Sequence, residues 1–322
     1  MKTLFFAIAT LAVVACQQNT KKEAPSQGEN TPLTTQEETT PLPETDWKKE
    51  GLKDQVKTRT TITYEAIEKN GQFAQGEIID IVRSHFNRQG FITLTEVFET
   101  FNDFKNNTPI HSQSFLYDDQ GRLLETNSYN SNEGKVASYT YRYNEQGDIV
   151  YTKDINVTSV EPTETRYQYT YTPEGKQRTF VNNGNTISFY NKKNQLIWEK
   201  FYEEETGDTT LTEYTYNDKG LLIKEVTFIN GKQEDIIEST YDPYGNRTSF
   251  YMKGSIGNLS ETSQYTYDDQ GNVLEDKTTS LSDGETRSSD HTYTYDNHGN
   301  IISARHMNPE EPVFLSFLIE YY

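Results

Sequence analysis

The sequence predicts an all-β domain built as a continuous antiparallel meander of hairpins. Three observations carry that prediction. A five-residue turn motif recurs nine times along the chain, tyrosines alternate with polar residues ahead of it, and no stretch beyond the N-terminal apolar run reads as a helix.

The motif is an aromatic residue, usually Asp or Asn, two variable residues, then Gly. It spans Phe86 to Gly90, Tyr117 to Gly121, Tyr143 to Gly147, Tyr171 to Gly175, Tyr190 to Asn194, Tyr216 to Gly220, Tyr241 to Gly245, Tyr267 to Gly271 and Tyr295 to Gly299. Most intervals between copies are 25–28 residues. An Asp or Asn in second place can accept a hydrogen bond from the backbone two residues on. The two permissive positions suit a type I turn, and the closing Gly suits the left-handed residue of a G1 bulge. Gly90, Gly121, Gly147, Gly175, Gly220, Gly245, Gly271 and Gly299 are therefore structural turn residues, and Asn194 fits the same place.

With that turn, the motif aromatic should face the residue six positions later. Those residues are Ile92, Leu123, Ile149, Gln177, Leu196, Leu222, Arg247, Val273 and Ile301, of which seven are aliphatic. Alternation ahead of the turn puts Tyr141 and Tyr143, Tyr169 and Tyr171, Tyr214 and Tyr216, Tyr265 and Tyr267, and Tyr293 and Tyr295 on one face of the sheet. These ten are the candidate ligand-stacking surface, since exposed rings can stack on sugars while their hydroxyls bond to sugar hydroxyls. The competing and favoured reading is that the ladder is simply the sheet's hydrophobic side.

A looser second set of turns lies between the motifs, with Gly134, Gly184, Gly207, Gly231, Gly257 and Gly284; Asn230-Gly231 and Asp283-Gly284 are its strongest hairpin signals. Two strands per repeat give about 18 strands. Residues 58–64, 77–85 and 91–98 read as strands in the same style. The C-terminal run Val313 to Ile319 is the most apolar stretch outside the N-terminus. An exposed edge that hydrophobic would aggregate, so it should pair with preceding strands or cap the tyrosine face rather than add to a partner's sheet.

These Tyr-Asp-x-x-Gly units resemble the YD repeats of Rhs-type proteins, Tc-toxin cocoons and teneurins, over residues 86–302. The resemblance implies hairpins that spiral into a hollow β-shell. Two departures qualify it. The Asp242-Pro243-Tyr244-Gly245-Asn246 segment, similar to the self-cleavage sequence that ends an Rhs core, is followed here by two more repeats, leaving no room for a toxin domain. Nine repeats also fall short of the large cocoons, so the expectation is an open, twisted or curled sheet, a partial shell.

The N-terminus carries the one assignable covalent chemistry. Met1-Lys2-Thr3 precedes an apolar run from Leu4 to Ala15, too short to span a bilayer, which needs about 20 residues. It ends in Val13-Val14-Ala15-Cys16, which resembles the lipobox of bacterial lipoproteins. That resemblance implies cleavage before Cys16 and a thioether-linked lipid on it. Cys16 is the single cysteine of the chain, so it has no disulfide or metal-binding partner of its kind. Residues 17–44 are rich in Gln, Thr, Glu and Pro and lack aromatics, the composition of a disordered tether reaching up to ~90 Å. The expected division is thus 1–15 signal peptide, 16–52 lipidated cysteine and tether, and 53–322 the β domain. Gln17, in place of the Asp that resembles an inner-membrane retention signal, points to the outer membrane.

Apolar residues make up 33% of the chain, the formal charge is −19, and mean hydropathy is −0.86. So acidic a surface excludes nucleic acid and anionic headgroups as partners. His85, His111, His291, His298 and His306 are scattered with no ligand spacing, and His291 and His298 read as residues near one surface turn. Asp118-Asp119 and Asp268-Asp269 read as turn residues, each pair offering fewer oxygens than calcium takes. No cofactor, metal site or catalytic constellation is expected. The function expected is non-catalytic display of the repeat sheet from the membrane, as a binding or scaffold surface for a protein or a glycan. A protective, immunity-like partner of a toxin is the second reading. A glycan-active enzyme ranks last, because abundant carboxylates make pairs by accident.

Overall fold

A computed structural model describes residues 42–159, 161–180, 185–254, 260–308 and 310–322. Cys16, Gly184 and Gly257 lie outside them. The strands are β1 (Val56–Lys69), β2 (Gln72–Phe86), β3 (Ile92–Phe98), β4 (His111–Tyr117), β5 (Leu123–Asn130), β6 (Gly134–Tyr143), β7 (Ile149–Asn156), β8 (Thr163–Thr172), β9 (Gly175–Phe180) and β10 (Thr186–Asn191). They continue as β11 (Leu196–Tyr202), β12 (Thr209–Tyr216), β13 (Leu222–Ile229), β14 (Lys232–Tyr241), β15 (Arg247–Gly254), β16 (Ser260–Tyr267), β17 (Val273–Ser280), β18 (Thr286–Tyr295), β19 (Ile301–Met307) and β20 (Val313–Tyr321).

Each strand pairs antiparallel with the next, and β20 pairs with β1 from Glu65↔Val313 to Val56↔Tyr321. The sheet is therefore a closed 20-stranded barrel, which corrects the open or curled sheet of about 18 strands expected from the repeats. The C-terminal apolar strand is what closes it. Left open, β1 and β20 would each present a row of unpaired N–H and C=O groups; pairing them removes both edges. At about 4.8 Å per strand the wall has a perimeter of roughly 96 Å before tilt.

Eight motif copies form the turn their residues dictate. In each, the second residue accepts at Oδ1 from the backbone N–H four positions on, at 2.8–3.0 Å. Seven of these eight also accept from the N–H two positions on. The motif aromatic pairs with the residue six positions later, as in Tyr143↔Ile149 and Tyr295↔Ile301, with a bulge beside it. The fourth copy departs. Thr172 pairs with Gly175 across a two-residue turn, so Tyr171 faces Lys176 and not Gln177. Thr172 replaces the carboxamide or carboxylate that holds the longer loop open, and Gly175 packs so closely on β10 that a Cβ would lie 1.9 Å from the Tyr190 carbonyl oxygen.

Two helices occur where none was expected. α1 (Asp46–Lys49) is capped by Thr45, and α2 (Phe101–Asn106) by a reciprocal Thr100–Asp103 box. Both are four to six residues long and fixed by caps and packing, too short for helical periodicity to mark them. Phe104 of α2 meets Phe98 edge-to-face at 5.4 Å, beside the small buried cluster of Ile62, Ile81 and Phe98. Residues 46–54, assigned by composition largely to the tether, lie along the motif rim and bridge its ends. Asp46 accepts from the Ile92 N–H and the Trp47 N–H donates to the Gly90 carbonyl at the first turn. Lys53 exchanges backbone bonds with the Asn300 carboxamide, and Asp54 meets His298, at the last.

Candidate functional site

The tyrosine ladder is real and lies on one face. In β8, Arg166, Gln168 and Thr170 are exposed while Tyr167 and Tyr169 are half-buried; β12, β16 and β18 repeat the alternation at Thr215, Thr266, Thr292 and Thr294. Side chains converge on the concave side of a closed ring and spread on its convex side, so the tyrosines line the interior.

Most of their hydroxyls are committed to the wall. Tyr143 donates to the Leu123 carbonyl at 2.8 Å, Tyr169 to Ile149 at 3.0 Å and Tyr216 to Leu196 at 2.9 Å. Tyr241 bonds likewise to Leu222 at 2.7 Å, Tyr267 to Arg247 at 2.6 Å and Tyr293 to Val273 at 2.9 Å. Each bond ties one motif hairpin to its predecessor through the first strand residues after its turn. A second group reaches carboxylates: Tyr171 donates to Asp148 and Tyr321 to Asp296, at 2.7 and 2.5 Å, and Tyr295 donates to Asp268. Burial pushes Tyr171, Tyr267, Tyr293 and Tyr321 up to about 12, with the partner carboxylates adding to the rise at Tyr171 and Tyr321. Burial alone would raise Asp268, but the Tyr295 hydroxyl and the Asn272 and Gln270 N–H groups hold its carboxyl below the usual range.

Of the ten tyrosines singled out by sequence, Tyr141 and Tyr214 have no hydroxyl hydrogen bond among the described residues, and Tyr265 only accepts from Arg247 at 3.3 Å. Burial pushes Tyr214 up to about 12, with the Glu225 and Glu199 carboxylates adding to it. Close by on the inner face, Arg178 lies over the Tyr167, Phe180 and Tyr190 rings, 3.2 Å from the Ser188 hydroxyl and 3.6 Å from Glu199.

The outer face carries charged pairs beside scattered exposed aliphatics such as Leu116, Ile155 and Leu318: Lys224 pairs with Glu238 at 2.9 Å, Lys153 with Glu164 at 3.1 Å, and Arg142 and Arg166 flank the Tyr151 ring at 4.8 and 5.6 Å.

The histidines are not arranged as the sequence suggested. His298 lies on the rim against Asp54, 2.5 Å away, whereas His291 lies directly opposite His306 on β19. Their rings meet edge-to-face with centroids 4.7 Å apart, and His291 Nε2 is 3.1 Å from Asp276 Oδ2 on β17. Burial, and then the charge of His291, pushes His306 down to about 4. The pairing was readable once the turn type was known, because the bulged register that sets Thr294 opposite Ser303 also sets 291 opposite 306. Among the described residues no group of three or more His, Cys, Asp or Glu side chains is placed to hold a metal ion, and no helix is long and apolar enough to cross a membrane.

No protein-family model and no curated protein matches the chain. Solved structures similar to it include a porin-like protein from Bacteroides uniformis, 12% identical over 82% of this chain and 96% of its own, with a TM-score of 0.32. A porin-like protein from Bacteroides vulgatus is 9% identical over 84% of this chain and 99% of its own, at 0.29. The TcdB2–TccC3 protein solved with Cdc42 is 14% identical over 78% of this chain but only 19% of its own length, at 0.26. Scores this low do not bear on what the barrel does.

Proposed function

We propose that this protein is a non-catalytic lipoprotein of the bacterial envelope, held at the outer membrane by lipid on Cys16, whose barrel is a rigid scaffold for a protein or glycan partner. The observation that carries this reading is the polarity of the wall. A barrel that crosses a membrane needs an outward apolar band about 25 Å tall. Here the outer face carries ion pairs and threonine rows, and the inner face mixes tyrosine with Arg178, Glu199, Glu225 and Asp276. A wall of this kind calls for an anchor elsewhere, and the apolar run ending at Cys16 supplies one.

The committed hydroxyls support a scaffold over a broad stacking platform, and they narrow any glycan contact to the neighbourhood of Tyr141 and Tyr214. The test is metabolic labelling with an alkyne palmitate and detergent-phase partition of the native chain and Cys16→Ala. Labelled native protein in the detergent phase, with unlabelled variant in the aqueous phase, is the expected outcome. A Cys16→Ala chain that stays in carbonate-washed membranes would overturn the reading in favour of a wall that spans the bilayer.

A further inference from the structure

His291 and His306 face each other across antiparallel strands on the inner face, where directly opposite Cβ atoms lie about 4.5–5.5 Å apart. His291 Nδ1 and His306 Nε2 are both buried and neither has a hydrogen-bond partner. Two orphaned ring nitrogens side by side in one wall call for an explanation, since each unsatisfied polar atom is destabilising.

The other nitrogen of His291 supplies part of the answer. In the neutral tautomer that donates its Nε2–H to Asp276 at 3.1 Å, Nδ1 is the lone-pair nitrogen. A carboxylate behind an imidazole is the arrangement that fixes a metal-binding tautomer and raises its basicity. The spacing is also suitable. Two imidazoles sharing one ion at about 2.0–2.1 Å, with an angle between roughly 90° and 109° at the metal, have centroids about 4.5–5.2 Å apart. Here they are 4.7 Å apart.

We propose that His291 and His306 chelate one imidazole-preferring divalent transition ion inside the barrel, Cu2+ or Ni2+ ahead of Zn2+, with Asp276 bonded behind His291. Two imidazole nitrogens are fewer than the four ligands of structural zinc, and the order follows the greater affinity of Cu2+ for imidazole. Asp276 stays outside the coordination sphere because it occupies the far side of the ring, consistent with the lack of any three-residue site. Ring stacking alone would leave both nitrogens unsatisfied, and a bridging water would satisfy them without selecting a metal.

The experiment is a Cu2+ titration of the untagged full chain in detergent, followed by isothermal calorimetry and electron paramagnetic resonance. One tight Cu2+ with superhyperfine coupling from two nitrogens is expected. His306→Gln and His291→Gln should each abolish the two-nitrogen signal, Asp276→Asn should weaken binding roughly tenfold, and His298→Gln should leave it unchanged. X-ray absorption on the native chain, which needs no variant to fold, should show two imidazoles at about 2.0 Å. Oxygen-only coordination, or equal binding by native chain and His306→Gln, would overturn the proposal and leave the scaffold reading intact.

Discussion

The two rims of the barrel are built on different principles. At the motif rim, eight of nine connections repeat one loop, closed by the same carboxamide or carboxylate bonds, and six of the eight are tied to a tyrosine hydroxyl of the next hairpin. At the opposite rim the ten connections range from two residues (70–71 and 230–231) to twelve (99–110). The residues between those strands include twelve Asp or Glu and a single Lys, Lys105, whereas the motif connections hold ten acidic and five basic residues. The lesson is a division of labour. Register and curvature are set at the motif rim, and the other rim is left free to vary in length and to gather negative charge.

That contrast can be broken first with glycine. Gly121 and Gly207 share nearly the same backbone, φ +76 and +78, on opposite rims. A Cβ at Gly121 would come 2.5 Å from the ring of Phe91, which is buried and stacked on Tyr117, whereas one at Gly207 meets nothing within 4 Å. Gly121→Ala should destabilise by at least about 3 kcal/mol and Gly207→Ala by about 1 kcal/mol, read as shifts in urea midpoint at constant slope. Equal losses would show that the motif rim is no more constrained than the other.

Acid tests the wall and the motif rim separately. His306 has a folded value near 4, below its unfolded value of 6.5, so the unfolded chain binds the extra proton. Its contribution is full above pH 6.5, falls as pH drops to about 4, and is flat below; the loss is on the order of 2–3 kcal/mol in metal-free protein. His306→Asn should flatten stability over that window. Asp118, Asp242, Asp268 and Asp296 are all held below the usual carboxylate value, because turn and side-chain hydrogen bonds more than offset their burial. Their stabilisation is present above the unfolded value and is lost as pH falls through the folded one. Changing all four to Asn, which other copies use at that position, should keep the turns and move acid unfolding to lower pH.

Smaller effects sharpen the same contrast. Asp242→Ala removes the bonds to the Tyr244 and Asn246 N–H groups and should cost about 1–2 kcal/mol. Asp283→Ala, which loses the bond from the Glu285 N–H on the opposite rim, should cost less than Asp242→Ala. Tyr143→Phe and Tyr216→Phe should each cost about 1 kcal/mol or less by thermal melting, since each deletes one hydroxyl-to-carbonyl bond and leaves the ring.

Local chemistry was legible wherever neighbours in sequence are neighbours in space. The Asp or Asn, the Gly and the tyrosine alternation announced turn type, strand register and a two-faced sheet, because each depends on residues fewer than ten apart. The fourth motif copy shows the limit: Thr172 in second place was the available sign of a tighter turn, and only the register made it plain. The His291–His306 pair follows from the same hairpin rule, although His298 is the nearer neighbour of His291 in sequence.

What the sequence determined by itself is the repeat, its turns and the alternation of its faces. Only the tertiary structure decided that the sheet closes, that the tyrosines face inward with most hydroxyls bound, and that residues 46–54 bridge the first and last motif turns. The physical reason is range. Twist per hairpin is local and small, but closure depends on its sum over twenty strands and on whether β1 and β20 arrive in register. No segment carries that sum, so eight like turns read the same in an open ribbon and in a barrel.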